Sequence, residues 1–157
     1  MKTPTRNGRS FQRRTRKGAA AVECALVAPV LTLLVLGGID VGQYANVYQK
    51  VSDASREGAR VAARYTTTTT SQVRNAVMDY LEQTSPNVPP ATLAGATTVT
   101  ITDGNGNAIA NGNLSNMATG SAIRVRVMLQ FDPVRWVSGI SELSGSQIIT
   151  TTTMRRE

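Results

Sequence analysis

The stretch RRTRKGAAAVECALVAPVLTLLVLGGID, residues 13–40, decides how this chain is organised. It passes from a basic beginning into an apolar run that carries no charge between Cys24 and Ile39. Counted from Ala19 to Ile39, the run extends about 32 Å as a helix, enough to cross a hydrocarbon core of about 30 Å. We therefore predict a membrane-spanning helix with one carboxylate, that of Glu23, near its start.

The positive charge of the protein is concentrated in residues 1–18. These contain seven basic residues and no acid, which accounts for the whole formal charge of +7. From Ala19 onward ten basic residues are balanced by ten acidic ones. The positive-inside rule then predicts a cytoplasmic amino terminus, with the rest of the chain outside the inner membrane. The neutral body also argues against nucleic-acid binding.

The helical pattern continues beyond the apolar run to about Arg64. Apolar and small residues spaced three and four apart form a narrow stripe, which we call the helix seam, opposite a charged face. Two interpretations are open, because the seam can cover the protein's own sheet or also meet neighbouring subunits. The run Thr66–Thr70 is expected to end the helix, since consecutive β-branched residues disfavour it. The helix seam consists of Tyr44, Val47, Val51, Ala54, Gly58, Val61 and Tyr65.

The remaining residues, 66–157, predict a small α+β domain. An amphipathic pattern indicates a short helix, and three alternating segments indicate strands. A connection that contains Trp136 leads to the last strand. The predicted fold is therefore α+β, with a long N-terminal membrane-spanning helix packed on a small, mostly antiparallel sheet and one further short helix. The predicted helix covers residues 71–83, and the predicted strands cover 97–102, 121–131 and 146–155.

Residue types exclude most catalytic chemistry. The chain has no histidine, which removes His-based triads and the usual zinc sites. The segment DGNGNAIANGN, residues 103–113, begins like a calcium loop but lacks the expected glycine and glutamate, so we predict a turn. Arg124 and Arg126 alternate with apolar residues, as on the wet face of a half-buried strand. We expect no enzyme activity and no catalytic, cofactor or metal site.

The segment KGAAAVECALVAPVLTLLVLGGID, followed by VSDASREGARVAARY, resembles the TadE-like family of minor pseudopilins of tight-adherence (Flp-type) pili. The resemblance covers roughly residues 13–65. It rests on a basic leader, a glycine with a glutamate five residues later, an apolar helix with an early proline, and the SREGAR stretch. The family often has an aromatic residue after the glutamate, where this chain has Cys24.

The resemblance implies a pilin-like precursor that a prepilin peptidase cuts between Gly18 and Ala19, removing the basic leader 1–18. It also implies that Glu23 is needed for entry into the filament, where its carboxylate would face the new amino terminus of a neighbouring subunit. Pro29 is expected to kink the membrane helix. The implied divisions are a transmembrane helix at 19–42, a periplasmic continuation at 43–65 and an extracytoplasmic domain at 66–157.

The function implied is that of a minor pilin or pseudopilin that takes part in priming or capping a type IV-like pilus for surface attachment. The implied partners are the prepilin peptidase, the major pilin, other minor pilins and the inner-membrane assembly platform. The expected location is the bacterial inner membrane, in a single pass, with incorporation into the extracellular pilus. The alternative is an uncleaved, signal-anchored extracytoplasmic binding module that does not polymerise. It predicts a retained leader and tolerance of substitution at Glu23.

Overall fold

A computed structural model describes residues 12–109, 112–135 and 145–157, with side chains from Gly18 onward. The first eleven residues of the predicted leader and the connection that contains Trp136 lie outside the described residues. The chain divides into two compact units, Met1–Ile39 and Asp40–Glu157. The helix α1, Gln12–Ala63, contributes to both.

In the first unit, α1 presents an apolar surface that the described residues leave exposed. The helix is long and apolar enough to cross a membrane, with a mean hydropathy of 2.3 in its most apolar window and none of that window buried. Pro29 lies inside the helix, which continues through it. The hydroxyl of Thr32 donates to the carbonyl of Ala28 at 2.8 Å, so this polar group is satisfied within the helix. The apolar helix fits a single-pass membrane anchor.

The second unit contains a three-stranded antiparallel sheet in the order β1-β2-β3. Its strands are β1 (Thr97–Asp103), β2 (Ala122–Gln130) and β3 (Gln147–Arg155). Two helices precede the sheet, α2 (Thr70–Thr84) and α3 (Pro90–Ala96). Short 3-10 turns lie at Leu114–Asn116 and Asp132–Val134. The predicted α+β fold class is confirmed, and each predicted strand lies within two residues of the observed one.

Alternation along β2 builds the centre of the core. One set of its side chains is almost completely buried, while those between them face outward. The buried residues of α2 and of the second half of α1 cover the same side of the sheet. Period-two and period-3.6 patterns therefore meet in one apolar layer, as the sequence predicts. The core side chains with at most 1% exposure include Val51, Ala54, Val73, Val77, Leu81, Ile123, Val125, Val127, Leu129, Phe131 and Ile148.

The helix α3 was not predicted from the sequence. The three prolines at 86–90 predict a break in structure, and α2 does end before them. Pro90, however, stands at the beginning of α3, where the missing N–H of proline removes no helical hydrogen bond. Leu93 and Ala96 of this short helix are buried in the core. The prolines therefore separate two helices.

The threonine run, residues 66–70, follows the end of α1 and begins α2. The side chain of Thr69 accepts from the backbone N–H of Gln72, and the side chain of Gln72 accepts from the N–H of Thr69. This reciprocal pair satisfies backbone donors that the first turn of a helix leaves free. The hydroxyl of Thr67 donates to the carbonyl of Val61 at 2.6 Å. The turn between the helices is thus fixed by threonine side chains.

The C-terminal end of α1 is capped by Arg156. This side chain is only 4% exposed. Its guanidinium donates to the carbonyls of Ala62 at 3.4 Å, Tyr65 at 3.5 Å and Thr67 at 3.1 Å. The N–H of Glu157 donates to the carbonyl of Ala63 at 2.9 Å. A cation is placed where the helix dipole is negative and where helical carbonyls lack partners.

The helix α1 approaches the core closely at Gly58. A Cβ atom at this position would lie 2.5 Å from Val77 Cγ2 and 3.3 Å from Val125 Cγ1. Both neighbours are β-branched and fully buried, so neither side chain can move aside freely. The glycine therefore allows α1 to pack against α2 and β2 together.

We expect Gly58→Ala to lower the free energy of unfolding by about 1–3 kcal/mol, because the added methyl group overpacks the core. The measurement is denaturant unfolding of the detergent-solubilised chain followed by circular dichroism. Gly95→Ala is the matched control, since a Cβ at this helical glycine meets nothing within 4 Å. The control is expected to be neutral or stabilising by up to about 1 kcal/mol, through higher helix propensity. Equal effects at both positions would contradict the close-packing account.

Candidate processing and assembly site

The two residues of the predicted cleavage site lie within α1. Gly18 and Ala19 are both helical and exposed. A Cβ atom added at Gly18 would meet nothing within 4 Å, so packing inside the protein does not require glycine there. The glycine is therefore free to serve an external requirement, such as recognition by a peptidase.

Glu23 stands one helical turn after Ala19, so the two residues share a face of α1. The side chain is exposed and lies beside Cys24 and Val27 on an apolar surface. Within the described part of the chain, the ion pairs lie elsewhere, at Arg56–Asp53, Arg60–Glu57 and Arg135–Asp132. A carboxylate on a membrane-facing helix is unfavourable without a partner, because lipid does not solvate charge. The geometry leaves Glu23 available to a group from outside the protein.

The apolar surface around Glu23 and Pro29 covers the whole circumference of α1. Exposure remains high at positions that point in different directions, including 77% at Leu26, 56% at Leu31 and 48% at Ile39. A contiguous apolar surface of this kind marks contact with a membrane or with other proteins. None of the described residues covers this apolar segment.

The helix seam faces the core of the second unit over most of its length. Val51 and Ala54 are fully buried. The side chains of Tyr44, Val47 and Val61 are partly buried and pack against the same core. The ring of Tyr44 meets that of Phe131 edge to face, with centroids 5.3 Å apart. Contact of the seam with neighbouring subunits stays a prediction.

The opposite face of α1 carries ion pairs at the predicted spacing. Arg56 lies 3.2 Å from the carboxylate of Asp53, and Arg60 donates to both oxygens of Glu57, at 2.8 and 2.5 Å. The hydrogen bonds from Arg60 lower the pKa of the Glu57 carboxyl. These exposed pairs satisfy each other locally and contribute little to stability.

The asparagine-rich loop after β1 is a turn held by Asp103. The carboxylate accepts from the backbone N–H groups of Asn105 at 2.9 Å and Asn107 at 2.8 Å. Hydrogen bonding to Asn107 is the main reason why the pKa of Asp103 lies below its ordinary value. The carboxylate therefore closes the turn. No cluster of metal-ligating side chains occurs among the residues that the structure describes.

Comparison with known protein families gives a match to the part of the chain that contains the predicted processing site. Residues 18–60 match the model of the family described as TadE-like protein. This segment is TadE-like. The match runs from the glycine before the predicted cut to the last arginine of the SREGAR stretch, so the resemblance seen in the sequence is confirmed. No curated protein and no solved structure matches the chain.

The TadE-like segment contains Gly18, Ala19, Glu23, Pro29 and most of the helix seam. It ends before α2, so the family match does not extend to the sheet. Sequence reasoning missed two features of that second part. One is the buried cap formed by Arg156, and the other is the position of Arg155 near Arg124 and Arg126 on one face of the sheet. The sheet register, which decides both neighbourhoods, is not visible in a single sequence.

Proposed function

We propose that the chain is a minor pilin or pseudopilin that takes part in assembling a tight-adherence, type IV-like pilus. The observation that carries this proposal is the TadE-like match over an apolar helix that the protein's own fold leaves uncovered. A membrane anchor needs such a surface while it is in lipid. A filament subunit needs the same surface later, when other helices replace the lipid.

The transfer from lipid to a helix bundle explains why a single carboxylate can matter. Lipid tails are as apolar as leucine side chains, so burial of apolar surface does not by itself drive helices together in a membrane. Polar groups then contribute to association and select its register. After a cut before Ala19, the new amine of one subunit and the Glu23 carboxylate of another would offset part of each other's desolvation.

The precursor is proposed to insert once in the bacterial inner membrane, with its basic leader in the cytoplasm and its second unit outside. The prepilin peptidase, major and minor pilins and the assembly platform are its proposed partners. Its role would be to prime or cap the pilus. The alternative, an uncleaved anchored binding module, shares the same membrane helix and differs in keeping the leader.

The first test is the intact mass and amino-terminal sequence of the protein purified from membranes, with and without the cognate peptidase. We expect a peptidase-dependent amino terminus at Ala19. Gly18→Val is expected to abolish the cut, because the peptidase must accommodate the side chain before the scissile bond. Gly8→Val, in the same leader, is the matched control and is expected to be cut normally. A retained leader in the presence of active peptidase would favour the uncleaved anchored module.

A further inference from the structure

One face of the sheet packs on the core, and the other face is open. The side chains of residues directly opposite each other in the register point to the same side of the sheet, so they form rows across the three strands. The first row contains Met128 with its neighbours Thr98 and Ile149. We call this surface the open sheet face, and it consists of Thr98, Thr100, Thr102, Arg124, Arg126, Met128, Ile149, Thr151, Thr153 and Arg155.

The charge of the open sheet face is entirely positive. Arg126 and Arg124 occupy successive rows of β2, about 7 Å apart, and Arg155 lies opposite Ala122 in the next row. No acidic residue belongs to this face. In the described part of the chain, none of these arginines joins an ion pair. Arg124 donates to the carbonyl of Gly104 at 3.3 Å, a neutral acceptor. The face therefore attracts a negatively charged surface.

The composition of this face favours a protein partner. Its cations are arginines, and its apolar row includes Ile149, which is 41% exposed. Arginine and methionine are enriched in protein interfaces, whereas lysine is depleted. The face contains no aromatic side chain on which bases could stack, as single-stranded nucleic acids require.

A complementary surface exists on α2. Val73, Val77 and Leu81 define the buried side of this helix. At 100° per residue, Asp79 and Glu82 lie on the opposite side, and both are exposed. Neither carboxylate belongs to an ion pair among the described residues, whereas Asp53 and Glu57 of α1 have partners within the chain. The helix therefore presents two unneutralised acids to solvent.

The two surfaces point away from each other across the core. Gly58 of α1 is buried against both Val77 of α2 and Val125 of β2, so the helices lie on the core side of the sheet. The open sheet face is on the other side. A contact between two different faces of the same protein is heterologous, and it continues from copy to copy unless the rotation closes a ring.

We propose that the open sheet face of one copy binds the outer face of α2 in a second copy, head to tail. The sheet face covers about 400 Å², from strands about 4.8 Å apart and rows about 7 Å apart. This is about half of the 800 Å² per partner found in stable complexes. The contact is therefore weak and sensitive to salt on its own, and a shared membrane raises its effective concentration.

Disulfide cross-linking of the full chain in detergent micelles tests the contact. In a Cys24→Ala background, one cysteine replaces the exposed Thr151 of the open sheet face and another replaces the exposed Asn75 of α2. We expect the chain with both cysteines to form a ladder of oligomers, weakened about tenfold between about 50 mM and about 500 mM salt. Asn116→Cys with Asn75→Cys is the control, since Asn116 is exposed but lies outside both faces. No ladder is expected from this pair.

Charge reversal separates the proposed contact from nonspecific association. Arg126→Glu with Arg155→Glu, and Asp79→Lys with Glu82→Lys, should each reduce cross-linking about tenfold, because like charges then meet. All four substitutions in one chain should restore it. A mixture of the two double variants should restore a ladder in which the two variants alternate, because the sheet face of each variant is opposite in charge to the α2 face of the other and matches only that partner.

Three results would overturn the proposal. Cross-linking of Thr151→Cys copies to each other would show a symmetric contact between sheets. Absence of the ladder at every salt concentration would show that the faces do not meet. Binding of heparin or duplex DNA to the open sheet face, without a ladder, would assign the face to a polyanion. The contact does not depend on cleavage, so its failure together with a normal cut at Ala19 would leave the proposed pilin function intact.

Discussion

Glu23→Ala is expected to remove the protein from pili while leaving its amount in the inner membrane unchanged. The substitution takes away the charged group on the otherwise apolar part of α1, so insertion into the membrane becomes easier. Assembly would lose the proposed polar contact, which would favour one register between helices. We expect pilus yield, or recovery of this subunit in sheared pili, to fall at least about tenfold, since a buried pair broken on one side costs about 3–5 kcal/mol.

The matched control for this result is Cys24→Ala. Cys24 is exposed on the same apolar surface and is adjacent in sequence, but it carries no charge. Its replacement is expected to leave both membrane level and pilus recovery unchanged. Glu23→Gln keeps the size of the side chain and isolates the contribution of charge, so it should fail like the alanine variant. Normal recovery of Glu23→Ala in pili would refute the proposed role of the carboxylate.

Arg156→Ala is expected to destabilise the second unit by about 2–4 kcal/mol. The substitution removes charge-assisted hydrogen bonds to the carbonyls of Ala62, Tyr65 and Thr67. Those carbonyls then remain in a partly buried site without their cationic donor. The favourable interaction between the guanidinium and the negative end of the α1 dipole is also lost.

Denaturant unfolding of the detergent-solubilised chain, followed by circular dichroism, measures this effect. Arg155→Ala is the control, because Arg155 is the preceding residue, has the same charge and is exposed. We expect the control to change the free energy of unfolding by less than about 0.5 kcal/mol. If the two variants unfolded alike, Arg156 would act through net charge and not as a cap.

Local patterns in the sequence were sufficient to predict a helix or strand where one of its faces is buried. The alternation of Ile123, Val125, Val127 and Leu129 predicts β2 because a shift of one residue would place this whole set in water. The spacing of Val73 and Val77 predicts α2 in the same way. The boundary of α3 was not predictable, since the same prolines that end one helix can begin another.

Non-local contacts account for what the sequence did not predict. Arg156 meets Ala62 across 94 positions, and nothing in the local pattern around residue 156 distinguishes it from the exposed Arg155. The open sheet face likewise requires the register between β2 and β3, which places Thr151 beside Arg126. The candidate processing site could be predicted because its sequence signal is local. A glycine and a glutamate stand at fixed positions at the start of one apolar helix.

The cap formed by Arg156 has a consequence for biogenesis. In the proposed orientation, with the second unit outside the membrane, the chain would cross in order from its amino terminus, so β3 and Arg156 would emerge after α2 and the rest of the sheet. Until then, the carbonyls of Ala62 and Thr67 lack their guanidinium partner, and β2 lacks one neighbouring strand. The second unit would therefore complete its folding only after β3 had crossed, and during that interval the unpaired side of β2 would be the surface that a chaperone outside the membrane would need to protect.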